Sequence, residues 1–244
     1  MPLTKLKIVE LERKIDWPCQ LSEQFKRAFL SAGSIQSLKA GYYFLSTEDT
    51  KDGLNYLFTG SLILSIRTSD FDHFTYKLLG KNDFLYYGQF FDYRLQESIA
   101  AEVLQDCQML KLSEQHLIRL SEQQPEFYKF MFSLLKMRTL PLLQKGLLNQ
   151  KFSVAIKVAY TLLDLASKQT TPAGTMIMLE ITQQQLANLS DVTRQRVNAV
   201  LKDFEKQQYI ELVRGKIYIK NIAAINQLLV NENLTFYKPK LDDA

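Results

Sequence analysis

The chain has 244 residues, enough for one large domain or two modest ones. With 46% hydrophobic and 23% charged residues it is not a disordered chain, and a net charge of +4 alone would suit many enzymes as well as a nucleic-acid binder. Cys19 and Cys107 lie far apart with no CxxC spacing, which argues against a disulfide framework or an iron–sulfur site and favours a reduced, cytoplasmic setting.

Residues 1–33 read as a helical lead-in. The start mixes charge with apolar residues and lacks the apolar core of a signal peptide. No stretch approaches the ~18 uninterrupted apolar residues of a membrane span, so no membrane partner is expected. After Trp17-Pro18, the residues Leu21, Phe25, Ala28 and Phe29 form an apolar stripe, and Gly33 stops the helix.

Residues 34–124 change texture. Short alternating runs are broken by Ala40-Gly41, Asp52-Gly53, Thr59-Gly60 and Gly80–Asp83. They predict strands at Tyr42–Leu45, Leu54–Phe58, Leu62–Ile66, Phe74–Leu79, Ile99–Val103 and Gln108–Leu112, with a hairpin tip at Ser69–Asp72. Short strands at this spacing suggest an antiparallel β-roll or barrel. Ser113 opens a closing helix.

Pro125 opens another helix, over 125–151, with apolar Phe127, Phe130, Met131, Leu134, Leu135 and Met137. That is more than one narrow stripe, so the helix buries two sides. An interior proline costs ~3 kcal/mol, and a kink or break is therefore expected near Pro141, with Gly146 loosening the next turn. The last segment, 152–244, begins with a helix near Phe152 that ends before Thr170–Gly174, the best linker candidate. Near the end, Asn221–Asn231 reads as a short helix.

Between these lies Ile181–Lys202, ITQQQLANLSDVTRQRVNAVLK, which reads as two short helices and a tight turn. Ile181, Leu186 and Leu189 give the first helix its apolar face; Val192, Val197, Val200 and Leu201 give the second its own. Thr182 and Gln185 suit a capping box, and Thr193 can cap the second helix. That helix opens with Arg194, Gln195, Arg196 and Asn198, where a helix in the major groove reaches base edges. From Ile181 to Lys220 there are seven cations against four acids, so most of the surplus charge lies here.

This stretch resembles the helix-turn-helix of the Crp/Fnr superfamily of bacterial transcription regulators, and the following Lys206–Ile219 resembles its wing. The resemblance implies an α+β chain: an N-terminal antiparallel β-roll of double-stranded β-helix or jelly-roll type, a dimerisation helix and a C-terminal winged helix-turn-helix. It implies double-stranded DNA, a second copy of the chain and RNA polymerase as partners. Arg194 takes the family's guanine-reading position, although a phosphate contact or a solvated surface role stays open. Gln195 stands where well-known members carry a glutamate, and glutamine favours adenine. Arg196 and Asn198 could meet bases or phosphates. Gln183, Thr193, Lys202, Arg214 and Lys216 are candidate phosphate contacts, with Arg214-Gly215-Lys216 at the wing tip. Asp191 replaces the glycine usual in the turn.

The family's cyclic-nucleotide binders carry Gly-Glu after the Asp-Phe of the roll, then Arg-Ser. Here Asp83-Phe84 is followed by Leu85-Tyr86-Tyr87-Gly88, and Glu97-Ser98 stands for Arg-Ser. The resemblance places an effector pocket at Tyr86, Tyr87, Gly88, Glu97 and Ser98, but a glutamate where a phosphate should sit repels it. Cyclic AMP in the usual mode is not expected, and no cofactor is assigned. His73 and His116 read as surface residues rather than haem ligands. No Walker loop, HExxH, GxSxG or paired Cys/His spacing supports an enzyme. The alternative from another class is a ligand-binding or protein-interaction module that does not read DNA sequence.

Overall fold

The computed structural model describes residues 5–45, 53–67, 73–86, 99–169, 176–230, 232, 234–237 and 239. They form two compact units: residues 1–74 with 78–138, and residues 75–77 with 139–244. The architecture is α+β: a β-roll with flanking helices, then a helical unit with a small sheet.

In the first unit, α1 (Lys5–Lys14) and α2 (Glu23–Ser31) precede the roll. Ser22 caps α2 by accepting from the Phe25 amide, and it also donates its hydroxyl to Glu126. The strands are β1 (Ser34–Leu38), β2 (Tyr43–Leu45), β3 (Leu54–Arg67), β4 (His73–Leu79), β5 (Phe84–Tyr86) and β6 (Ile99–Leu112). Their order is β1-β6-β3-β4, with β2 on β6 and β5 on β3. β1 and β5 are strands that local pattern did not mark.

Two expected pairs of short strands are each one long strand. β3 and β6 pair antiparallel from Leu54↔Leu112 to Ile66↔Ile99, with register shifts between Leu57 and Leu62. Thr59-Gly60 is therefore a bulge inside β3 and not a turn. Gly60 has φ +81°, and a Cβ there would lie 2.4 Å from the Asp106 carbonyl oxygen. Only glycine tolerates both the conformation and the approach. The hairpin tip expected at Ser69–Asp72 lies outside the described residues, as does the linker Thr170–Gly174.

The core of this unit joins Leu11, Phe25, Phe29, Tyr56, Phe84, Leu110 and Phe130. Its rings form a chain: Tyr56–Phe84 at 4.7 Å, Phe84–Phe130 at 5.5 Å and Phe130–Phe29 at 5.1 Å between centroids. Tyr56 is fully buried, and its hydroxyl accepts from the Asp16 amide at 2.9 Å and donates to Asn82 Oδ1 at 2.8 Å. Burial pushes its pKa up to about 12, so the phenol stays protonated and keeps donating. His116, on α3 (Glu114–Gln123), is half-buried rather than on the surface. Its Nε2 lies 3.1 Å from the Phe29 carbonyl oxygen, and burial lowers its pKa.

α4 runs from Glu126 to Lys151 without interruption, with Pro141 inside it. The expected break at Pro141 does not occur. The carbonyl that proline leaves unpaired is that of Met137, a residue on the exposed side where water can satisfy it. Buried Phe127, Phe130 and Leu134 hold the helix before the proline, and Gln144 and Leu148 hold it after. Tertiary packing outweighs one missing bond.

The second unit is built around α5 (Val154–Ser167), capped by Ser153 and buried at Val158, Ala159, Leu162, Leu163 and Leu165. It packs on α6 (Gln183–Ser190), α7 (Arg194–Lys206) and α8 (Ile222–Val230). A sheet of order β7-β9-β8 comprises β7 (Ile177–Leu179), β8 (Ile210–Val213) and β9 (Lys216–Ile219). Among the described residues no helix is long and apolar enough to cross a membrane.

Replacing Tyr56 by Phe leaves the Asp16 amide and Asn82 without their shared partner. Urea denaturation should show a loss of ~1–3 kcal/mol; unchanged stability would mean that water replaces the hydroxyl.

Candidate nucleic-acid interface

α6 and α7 form the helix-turn-helix. Thr182 caps α6 through the Gln185 amide, and Gln185 returns a bond to the Thr182 amide at 2.9 Å, which completes the capping box. Asp191 ends α6 in the left-handed region at φ 53°, ψ 50°. Thr193 then caps α7 by accepting from the Arg196 amide. Val197, Leu201 and Phe204 are buried, which turns one side of α7 into the unit's core.

At ~100° per residue, that leaves Gln195, Lys202 and Lys206 facing away from the core. Arg196 and Asn198 fall on opposite flanks of this face, and Arg194 sits at the exposed first turn. Arg194, Gln195, Arg196 and Lys202 are all exposed. Among the described residues, no acidic side chain forms an ion pair with Arg194, Arg196 or Lys202. The N-terminus of α7 adds its unpaired amides and the positive end of the helix dipole to the same place.

The structure joins two candidates that the sequence kept separate. Gln183 Nε2 donates to Asn198 Oδ1 at 3.3 Å, so the first turn of α6 props one flank of α7. At the other end of α7, Glu205 Oε1 accepts from the Leu212 amide at 2.9 Å and ties the helix to β8. β8 and β9 make the wing hairpin through Val213↔Lys216, with Arg214 and Gly215 at the turn and Gly215 at φ 74°. Arg214 is exposed at that tip. Lys216, a candidate phosphate contact, is engaged by Glu180 at 3.0 Å, and this pairing raises its pKa. Lys220 is likewise engaged by Glu211 at 2.9 Å. The uncompensated positive charge therefore lies on α7 and the wing tip, not along the wing strands.

Of the residues expected to line an effector pocket, Tyr87, Gly88, Glu97 and Ser98 lie outside the described residues. The backbone of Tyr86 ends β5, and its side chain is outside them too. Among the described residues no cluster of His, Cys, Asp or Glu could hold a metal ion.

A capped helix pair, its turn, a polar exposed second helix and an adjoining hairpin define a winged helix-turn-helix DNA-binding domain. Residues 156–228 match the family model of the Crp-like helix-turn-helix domain. Solved structures similar to the whole chain include a crp/fnr-family regulator from Eubacterium rectale, 19% identical, with a TM-score of 0.65 over 88% of this chain and 98% of that one. FixK2 from Bradyrhizobium japonicum is 14% identical, with a TM-score of 0.61 over 80% and 96%. The c-di-GMP responsive regulator CLP from Xanthomonas campestris is 16% identical, with a TM-score of 0.59 over 81% and 99%. No curated protein sequence matches the chain. Residues 156–228 thus carry a Crp-like helix-turn-helix domain, and the chain shares its fold with these solved regulators.

Removing the cap of α6 tests how firmly this scaffold is held. Thr182→Ala should lower the stability of the DNA-binding unit by ~1 kcal/mol in chemical denaturation. A change near zero would show that water caps α6 equally well.

Proposed function

We propose that the protein is a homodimer that reads a near-palindromic DNA site through two α7 helices. The observation that carries this reading is the exposed first turn of α7, whose Arg194, Gln195 and Arg196 face solvent on a helix fixed at both ends. Arg194 is assigned to guanine, where its planar fork makes two parallel bonds to O6 and N7, and Gln195 to adenine. Arg196 and Asn198, on opposite flanks, divide between base edges and backbone. Thr193, whose hydroxyl oxygen is a cap acceptor, still has a proton to donate to a phosphate. Lys202 and Arg214 supply further backbone contacts, which add affinity without sequence choice. The contribution of Lys216 is reduced by its partner Glu180.

The pattern of α4 supports the second copy. Tyr128, Phe132, Leu135, Thr139, Leu142 and Gly146 recur in alternating steps of four and three, the seam of a coiled coil. Phe132 and Leu142 are 71% and 67% exposed, an apolar load that an isolated chain leaves in water. Thr139 and Gly146 are small, and a Cβ at Gly146 would meet nothing within 4 Å, so a partner helix can come close there. The paired heads would then meet half-sites ~34 Å apart. The β-roll is the sensor in this reading. Because Glu97 stands at the position of a phosphate-binding arginine, cyclic AMP is not expected to bind there in the usual mode. RNA polymerase is a further proposed partner, contacted if the protein activates transcription.

Two outcomes test the proposal. In selection from random duplexes, Arg194→Ala should lose ~1–3 kcal/mol of preference at one base pair of each half-site, with circular dichroism unchanged. An unaltered selected sequence would remove Arg194 from the reading set. A Leu135→Glu substitution, placing like charges across the seam, should convert the dimer to monomer in sedimentation. A Leu135→Glu protein that stays dimeric would place the interface elsewhere.

A further inference from the structure

Asp191 poses a question that its backbone does not answer. It caps α6 in a left-handed conformation that glycine adopts without steric penalty and that a side chain resists. The cap itself is all main chain: the Asp191 amide donates to the Asn188 carbonyl at 3.3 Å, and the Val192 amide to the Ala187 carbonyl at 3.0 Å. A glycine could make both bonds. The side chain must therefore be explained by what it touches.

It touches the end of α4. Asn149 Nδ2 donates to Asp191 Oδ2 at 2.5 Å, across 42 positions of sequence. Asn149 is itself held, because its carbonyl in the last turn of α4 accepts from Lys157 Nζ at 3.1 Å. Lys145, one turn earlier, is half-buried, and Asp191 and Asp164 are the carboxylates whose field acts on it. Burial pushes its ammonium pKa down, and the two carboxylates oppose that. Asp164 also lies 3.5 Å from Lys168. Two helices and the turn of the reading motif thus share one small polar cluster, inside the same compact unit.

We infer that Asn149 and Asp191 are positioning residues: their single bond fastens the helix-turn-helix turn to the last turn of α4 and fixes how α7 is presented to DNA. A carboxylate in the turn exchanges conformational ease for a defined attachment. Thermal motion that would let α7 swivel about its own turn is transferred to α4, whose apolar stripe is the proposed seam. The consequence for DNA rests on the paired-head reading above; the fastening itself does not.

The test uses the full chain and three variants: Asn149→Ala, Asp191→Gly and the double. Alanine keeps α4 helical, and glycine relieves the left-handed residue, so each fold is retained or firmer in thermal melting. Hydrogen exchange reads the fastening directly. Asn149→Ala should speed exchange across residues 190–196, and Asp191→Gly across 145–151, by roughly tenfold, the value of one charge-assisted bond. The double variant should be no faster than either single. Binding to DNA with half-sites one base pair closer or farther apart should show a sharp optimum in the wild type and a broad one in the variants. Unchanged exchange in the distant segment, or effects that simply add, would overturn the fastening. A wild-type protein indifferent to spacing would remove the paired-head reading instead, and the exchange data would still decide the fastening.

Discussion

One helix face in the core and the other in water is the division on which this molecule's DNA-binding unit depends. Val197, Leu201 and Phe204 are buried, and that burial is what holds α7 in the unit. The same burial forces Gln195, Lys202 and Lys206 outward, because a helix turns ~100° per residue. Polar display and core packing are two aspects of one periodicity. In the proposed role the helix must also be stiff, since an amide or guanidinium that drifts discriminates poorly between bases. The stiffness comes from the ends: Thr193 at the start, Gln183 against one flank, and Glu205 bonded to the wing strand.

Charge is distributed with the same logic. The wing strands carry lysines, yet Glu180 and Glu211 neutralise two of them. These are exposed pairs and contribute little to stability. Their effect is on the field: net positive potential is lowered along the strands and left intact at the first turn of α7 and at Arg214. A protein that attracted duplex equally over its whole face would gain affinity for any sequence and lose contrast between sites. In the proposed DNA-reading role, pairing the outlying lysines would limit that non-specific share.

What the sequence revealed follows how local each signal is. The helix-turn-helix could be read because its information lies within a few residues: caps at Thr182 and Thr193, apolar spacing of 3.6, and a turn residue between. Long-range features could not. β1 (Ser34–Leu38) is a strand only because Lys111 to Cys107 lie beside it, some seventy positions later. Gly60 looked like a turn because a left-handed glycine marks turns and bulges alike; the partner strand that makes it a bulge is remote. The break expected at Pro141 is absent for the opposite reason. Its local rule is strong, but the packing of Phe127, Phe130 and Leu134 on one side and Leu148 on the other outweighs it. The polar pairs Gln183–Asn198, Lys216–Glu180 and Asn149–Asp191 carry no sequence signal, with one exception. An aspartate where a glycine would be easier is a visible oddity, and it marks the position whose side chain has a distant partner.

The continuity of α4 gives that oddity its weight. Its last turns, 139–151, lie in the second unit together with Asp191. As one 26-residue element it is stiff over ~39 Å, at 1.5 Å of rise per residue. Apolar contacts alone would permit sliding, because they are non-directional. A directional bond between an amide and a carboxylate does not slide. In the last turns of α4, buried Leu148 and the proposed Asn149–Asp191 fastening therefore do different tasks: the apolar contact supplies stability, and the directional bond supplies register.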